Sequence, residues 1–125
     1  MVNRKLYLDK LVDYRDKRLI KVVTGIRRCG KSTLLALFQK HLLDSGVQPD
    51  QIHAVNFEDL DYAHLQNHMA LYGYLKERLV PDRMNYIFLD EIQHVDEFAR
   101  VVDSLALRDN TDLYITGSNA RFLSG

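Results

Sequence analysis

Residues Gly25-Ile26-Arg27-Arg28-Cys29-Gly30-Lys31-Ser32 fill the pattern G-x-x-x-x-G-K-[ST] without a substitution. No other stretch restricts the fold as tightly, because this pattern has meaning only between a strand and a helix. Both neighbours are present. Leu19-Ile20-Lys21-Val22-Val23-Thr24 is an apolar run of strand character, and Thr33-Leu34-Leu35-Ala36-Leu37-Phe38-Gln39 continues as a helix. Glycines at both ends let the backbone curl so that successive N–H groups point at phosphate oxygens. The helix that begins near Lys31 adds its positive end. On this reading Gly25, Ile26, Arg27, Arg28, Cys29, Gly30, Lys31, Ser32 and Thr33 cradle the phosphates of a nucleoside triphosphate. Lys31 reaches the β- and γ-phosphates, and the Ser32 hydroxyl sits on Mg²⁺. The plain alternative is a glycine-rich turn with a solvated lysine, and the strand and helix on either side weigh against it.

The chain has 125 residues, 46% of them apolar, which suffices for one domain with its own core. No run of ~18 apolar residues suggests a membrane span. Residues 1–6 lack the apolar segment of a secretory signal. The single cysteine, Cys29, cannot form an internal disulfide, and a reducing cytoplasm is the expected location. Formal net charge is zero, so total charge argues for neither nucleic acid nor membrane. The distribution is uneven: residues 1–40 carry 11 Lys/Arg against 3 Asp/Glu, and residues 41–125 carry 6 against 14. A basic first third suits a polyphosphate site, and contact with nucleic acid is open but otherwise unsupported.

Strand and helix signals alternate along the chain. Residues 3–15 read as a short helix or arm, so residues 1–18 are set apart from a core over 19–125. Strands are expected at 19–24, 52–57, 86–89 and 113–116. One helix is expected from Lys31 to Leu43. A second carries Leu65, Met69, Tyr72, Leu75 and Leu79, spaced by threes and fours and stopped by Pro81. A third carries Val95, Phe98, Val102 and Leu105, with Asp96 as its expected N-cap. Four alternations predict an α/β fold, a three-layer α-β-α sandwich around a parallel sheet. Such sheets bind ligands at the carboxyl ends of their strands.

Those ends carry the remaining candidates. The third strand closes in Leu89-Asp90-Glu91, an apolar run ending in an acid. Asp90 is expected to hold Mg²⁺ opposite Ser32. Glu91, at the strand tip, can orient a water attacking the γ-phosphorus or take its proton. P-loop kinases for small molecules generally lack that Glu, so its presence favours transfer to water. The fourth strand leads into Thr116-Gly117-Ser118-Asn119, where Ser118 or Asn119 is placed to sense the γ-phosphate. A simple helix cap is the alternative for both. His64 and His68, four apart, share one helical face on this reading, with no third metal ligand of clear spacing. Glu58, Asp59 and Asp61 read as a solvated acidic turn. Leu6, Tyr7 or Tyr14 could pack on a nucleotide base, with core packing as the competitor.

The order GIRRCGKSTLL, YIFLDEIQ, LYITGSN resembles the prokaryotic AAA-like ATPases of the additional-strand, catalytic-glutamate P-loop class. In particular it is similar to those whose ATPase domain precedes a C-terminal domain of unknown function. The paired Arg27 and Arg28 belong to that pattern. The resemblance implies a RecA/AAA-like P-loop core with sheet order 5-1-4-3-2, binding ATP and Mg²⁺. It also implies a fifth strand and a helical subdomain beyond Gly125, and an arginine finger that lies later or comes from a neighbouring subunit, so the chain is expected to be an N-terminal portion or a truncated gene product. Without strand five the P-loop strand is a sheet edge, which invites self-association unless residues 1–18 cover it.

The leading expectation is a Mg²⁺-dependent ATPase. A nucleotide-dependent switch with little turnover is a second reading, and a DNA-associated motor fragment a third. Asp90-Glu91-Ile92-Gln93 echoes a helicase box, but the partner motifs of a helicase are missing. No [NT]-K-x-D guanine-reading motif is present, and no segment suggests a kinase acceptor lid.

Overall fold

The structure, a computed structural model, describes residues 4–15, 20–24 and 31–117. Four helices and four strands alternate: α1 (Arg4–Asp13), β1 (Lys21–Thr24), α2 (Lys31–Asp44), β2 (Ile52–Asn56), α3 (His68–Arg78), β3 (Asn85–Asp90), α4 (Phe98–Ala106) and β4 (Thr111–Gly117). All strand pairings are parallel, in the order β1-β4-β3-β2. This is the order expected for the first four strands. Parallel neighbours need long crossovers, and the helices supply them.

Alternation along the strands sends successive side chains to opposite faces, and each face has its own core. On one side Phe38, Leu34, Leu35 and Leu42 of α2 and Leu11 of α1 pack on Tyr86, Phe88 and Tyr114. The Tyr114 ring lies 4.8 Å from Phe38 and 4.9 Å from Phe88, between centroids. On the other side Leu71, Leu75, Val101, Val102 and Leu105 from α3 and α4 cover Val55, Ile87, Leu89, Leu113 and Ile115. All six residues of β3 are buried, as its continuous apolar run predicts. At the other extreme β1 forms an edge, paired with β4 alone among the described residues. Its Val22 is 50% exposed. Val22 pairs with Ile115 on the α3/α4 face, whereas α1 packs on the opposite face.

Two expectations give way. The second helix is not continuous from Leu65 to Leu79: a 3₁₀ segment, Leu60–Leu65, precedes α3. Asn67 interrupts the pattern because its side chain accepts the Ala70 N–H at 3.0 Å and caps a new helix. His64 and His68 therefore lie on different elements. Asp96 does not cap α4, whose N-cap is Glu97 at φ 47°. Its carboxylate instead accepts the His68 backbone N–H at 2.8 Å and the His68 ring at 2.9 Å, tying the start of α3 to the loop before α4.

The amino ends of the strands are held by one amide. Asn85 is fully buried. Its Oδ1 accepts from Val80 N at 2.8 Å and His53 Nε2 at 2.9 Å. Its Nδ2 donates to Val80 O at 2.9 Å and Asn110 O at 3.1 Å. Two loops and the neighbouring strand β2 thus converge on one side chain. Truncation leaves several buried groups unsatisfied at once, so Asn85→Ala is expected to cost about 3 kcal/mol in denaturant unfolding. Leu60→Ala, at an 87% exposed position, should change stability little.

The hydrogen bonds from His68 hold the Asp96 carboxyl below its ordinary value of 3.8. A depressed folded value means that its stabilising contribution is present above 3.8 and lost as pH falls through the folded value. Thermal melts should therefore show wild type above Asp96→Ala at neutral pH, with the gap closing in acid below 3.8.

Candidate functional site

The site assembles from three chain segments at the carboxyl ends of the strands. Polar groups gather there because a strand buried on both faces brings water access only at its tip. Asp90 closes β3 and is buried, as is Glu91 after it. α2 begins at Lys31, and the Ser32 hydroxyl donates to Asp90 Oδ2. The N-terminus of α2 therefore sits directly over the tip of β3. Ser32 and Asp90 are 58 residues apart in sequence. Their oxygens form a small, hard donor pair of the kind that suits Mg²⁺.

The second Asp90 oxygen is also engaged. Thr116, in β4, donates its hydroxyl to Asp90 Oδ1 at 2.5 Å. The same hydroxyl accepts the Glu91 backbone N–H at 2.8 Å. This follows from the register: Leu89 pairs with Ile115, so the next residue of each strand, Asp90 and Thr116, meet on one face. Thr116 is fully buried.

Glu91 turns the chain out of the strand in the left-handed region, at φ 59° and ψ 52°. Few non-glycine residues adopt that conformation without a local reason. A 3₁₀ turn, Ile92–His94, follows, and Gln93 Nε2 donates to Glu91 Oε1 at 2.7 Å. Glu91 is 4% exposed, and its carboxylate is held by a neutral donor. On the far side, the backbone N–H of Phe57 donates to Asp90 O at 3.0 Å, binding the exit of β2 to the same tip.

Not every sequence candidate belongs to this cluster. Gly25, Ile26, Arg27, Arg28, Cys29 and Gly30 lie outside the described residues, as do Ser118 and Asn119. The side chains of Lys31, Leu6 and Tyr7 also lie outside them. Thr33 is exposed in the first turn of α2. Tyr14 is exposed. Glu58, Asp59 and Asp61 are exposed, and Asp59 is used locally, accepting the Asp61 N–H at 2.9 Å. Motif reading met Thr116 only as the lead-in to Ser118 and Gln93 only in a helicase-like box, and gave neither a role at the site. The available signal was positional: Thr116 is a hydroxyl at the end of an apolar strand, and it becomes conspicuous only once β3 and β4 are aligned.

The sequence matches the AAA domain family over residues 17–125. The chain belongs to that family. Membership supports a nucleotide-binding, ATPase-like function. This AAA domain is 36% identical, over its whole length, to an uncharacterised protein of Haemophilus influenzae (strain KW20 Rd). It spans about a third, 32%, of that relative's length. Among solved structures it is similar to that of C. elegans PCH-2, with a TM-score of 0.55 and 18% identity. That likeness covers 90% of this chain and 35% of the other, and it concerns the fold. The parallel α/β architecture expected from the sequence is the one shared.

The strain at Glu91 yields a stability prediction. Glycine adopts positive φ freely, and Glu91→Gly also removes a buried carboxylate. Denaturant unfolding should show the variant more stable than wild type by about 1 kcal/mol. A loss of stability would mean that the Gln93 contact outweighs the backbone strain.

Proposed function

We propose that this AAA domain binds Mg²⁺-ATP at the junction of β1 and α2 and hydrolyses it to ADP and phosphate. The observation that carries the reading is the contact between Ser32 and Asp90. It joins the lysine–serine end of the G-x-x-x-x-G-K-[ST] segment to the acidic tip of β3. A chance P-loop match would have no reason to face such an acid.

In this scheme Gly25 to Thr33 wrap the phosphates with backbone N–H groups, and Lys31 neutralises charge on the β- and γ-phosphates. Ser32 and Asp90 would hold Mg²⁺, which would supply positive charge against the triphosphate. Glu91 orients the attacking water. As the new P–O bond forms, the bond to the β-phosphate oxygen breaks and ADP leaves with its electron pair. The water proton passes to the Glu91 carboxylate, whose position is set by the left-handed turn and the Gln93 donor. Ser118 or Asn119 senses the γ-phosphate. An arginine finger adds roughly 10³–10⁵-fold in P-loop enzymes, so turnover without one would be slow. In that limit the domain works as a nucleotide-dependent switch.

Nucleotide binding and phosphate release, followed in the same samples with Mg²⁺, test the reading. Lys31→Ala should weaken ATP binding at least about tenfold through loss of a charged phosphate contact. Glu91→Gln should keep ATP binding and lose about 100-fold or more in phosphate release. ATP binding indifferent to Lys31→Ala would overturn the site. Release in Glu91→Gln equal to wild type would overturn the role of Glu91, and tight binding without release in wild type would select the switch.

A further inference from the structure

We propose that Thr116 is a positioning residue that couples the Asp90 carboxylate to the backbone carrying Glu91. The inference rests on the ATPase reading above for its functional consequence, but its geometric basis is independent of it. One hydroxyl makes both contacts, donating to Asp90 Oδ1 at 2.5 Å and accepting from Glu91 N at 2.8 Å.

Three features point the same way. A fully buried β-strand position that packs beneath a helix suits valine, and a hydroxyl there is unfavourable unless both its donor and acceptor capacities are used. Here both partners belong to the two acids of the site. Secondly, Thr116 fixes the rotation of the Asp90 carboxyl group. With Oδ1 bound to Thr116, Oδ2 is the oxygen presented to Ser32, and hence to the cation that the pair would hold. Thirdly, Glu91 adopts a strained left-handed conformation that persists only if its surroundings over-determine it. Its N–H bond to Thr116 anchors the start of that turn, and the Gln93 donor fixes the end of its side chain. A change at the Asp90 carboxylate is therefore transmitted through one oxygen atom to the residue that orients water. On this proposal Thr116 acts through Asp90 and Glu91.

Thr116→Val keeps the shape and removes both hydrogen bonds; Thr116→Ser keeps the hydroxyl. Outer partners of ligating groups typically carry 10–100-fold in metal affinity or activity. Thr116→Val should therefore lose about 10–100-fold in kcat and need about tenfold more Mg²⁺, with KM for ATP within about twofold. Thr116→Ser should recover most of the loss. In the nucleotide-free protein, amide hydrogen exchange at Glu91 should be at least about tenfold faster in Thr116→Val than in wild type.

A Thr116→Val protein with wild-type kcat, Mg²⁺ requirement and Glu91 amide exchange would overturn the proposal while leaving the ATPase reading intact. So would a Thr116→Ser protein as impaired as Thr116→Val, since a role in packing alone would then account for both. If wild type shows no Glu91-dependent hydrolysis, the ATPase reading fails, and the Glu91 amide still decides whether Thr116 holds the turn. Should Thr116→Val not fold, wild type and Thr116→Ser decide it: a protected Glu91 amide in both supports the proposal, and exchange at the rate of an open loop overturns it.

Discussion

β3 has strand neighbours on both edges and helices over both faces, and each of its six residues is buried. Polar chemistry on such a strand is confined to its ends, because a charge along its length would have no compensating partner. The amino end is occupied by Asn85 and the carboxyl end by Asp90. Whatever approaches the carboxyl tip meets an acid already fixed by hydroxyls from α2 and β4. The position of α2, the register of β4 and the exit of β2 are all referred to that one point.

The two ends of the sheet solve different problems. At the amino end two polar clusters tie the strands together. Asn85 closes two loops, and Lys21 of β1 pairs with Asp112 of β4 in the interior. Tyr114 completes that pair by donating its hydroxyl to Asp112 Oδ2 at 2.7 Å. A buried ion pair adds little net stability, since desolvation offsets the attraction. Its structural consequence is discrimination: sliding β1 along β4 would bury Lys21 without its carboxylate. The pair thus fixes the short edge strand from which the glycine-rich segment departs. At the carboxyl end the groups converge on one acid, with a left-handed Glu91 beside an Asp90 shared between two hydroxyls. Stability is concentrated away from the chemistry.

Much of this was legible in the sequence. The alternation of elements and the meeting of Ser32 with Asp90 follow from motifs whose physics demands a strand, a loop and a helix in sequence, whereas the sheet order was expected only from the family resemblance. What escaped reading was set by tertiary register. Asp96 looks like a cap for the helix that follows it, but α3 lies close enough to claim the carboxylate, and α4 starts from a left-handed Glu97 instead. Asn67 split a helical pattern that periodicity alone carried through. Thr116 showed no significance until β3 and β4 were aligned, and Asn85 lay just outside the strand expected at 86–89. In each case the deciding partner lies more than 20 residues away or is a local cap overriding an apolar stripe.

The most direct test of the central claim is a crystal structure of the protein with Mg²⁺ and a non-hydrolysable ATP analogue. The account predicts the metal between Ser32 and Asp90, their mutual hydrogen bond replaced, and the γ-phosphate facing Glu91 with Thr116 still bound to both acids. A triphosphate located elsewhere, or bound with the Ser32–Asp90 contact intact and no metal beside it, would contradict it.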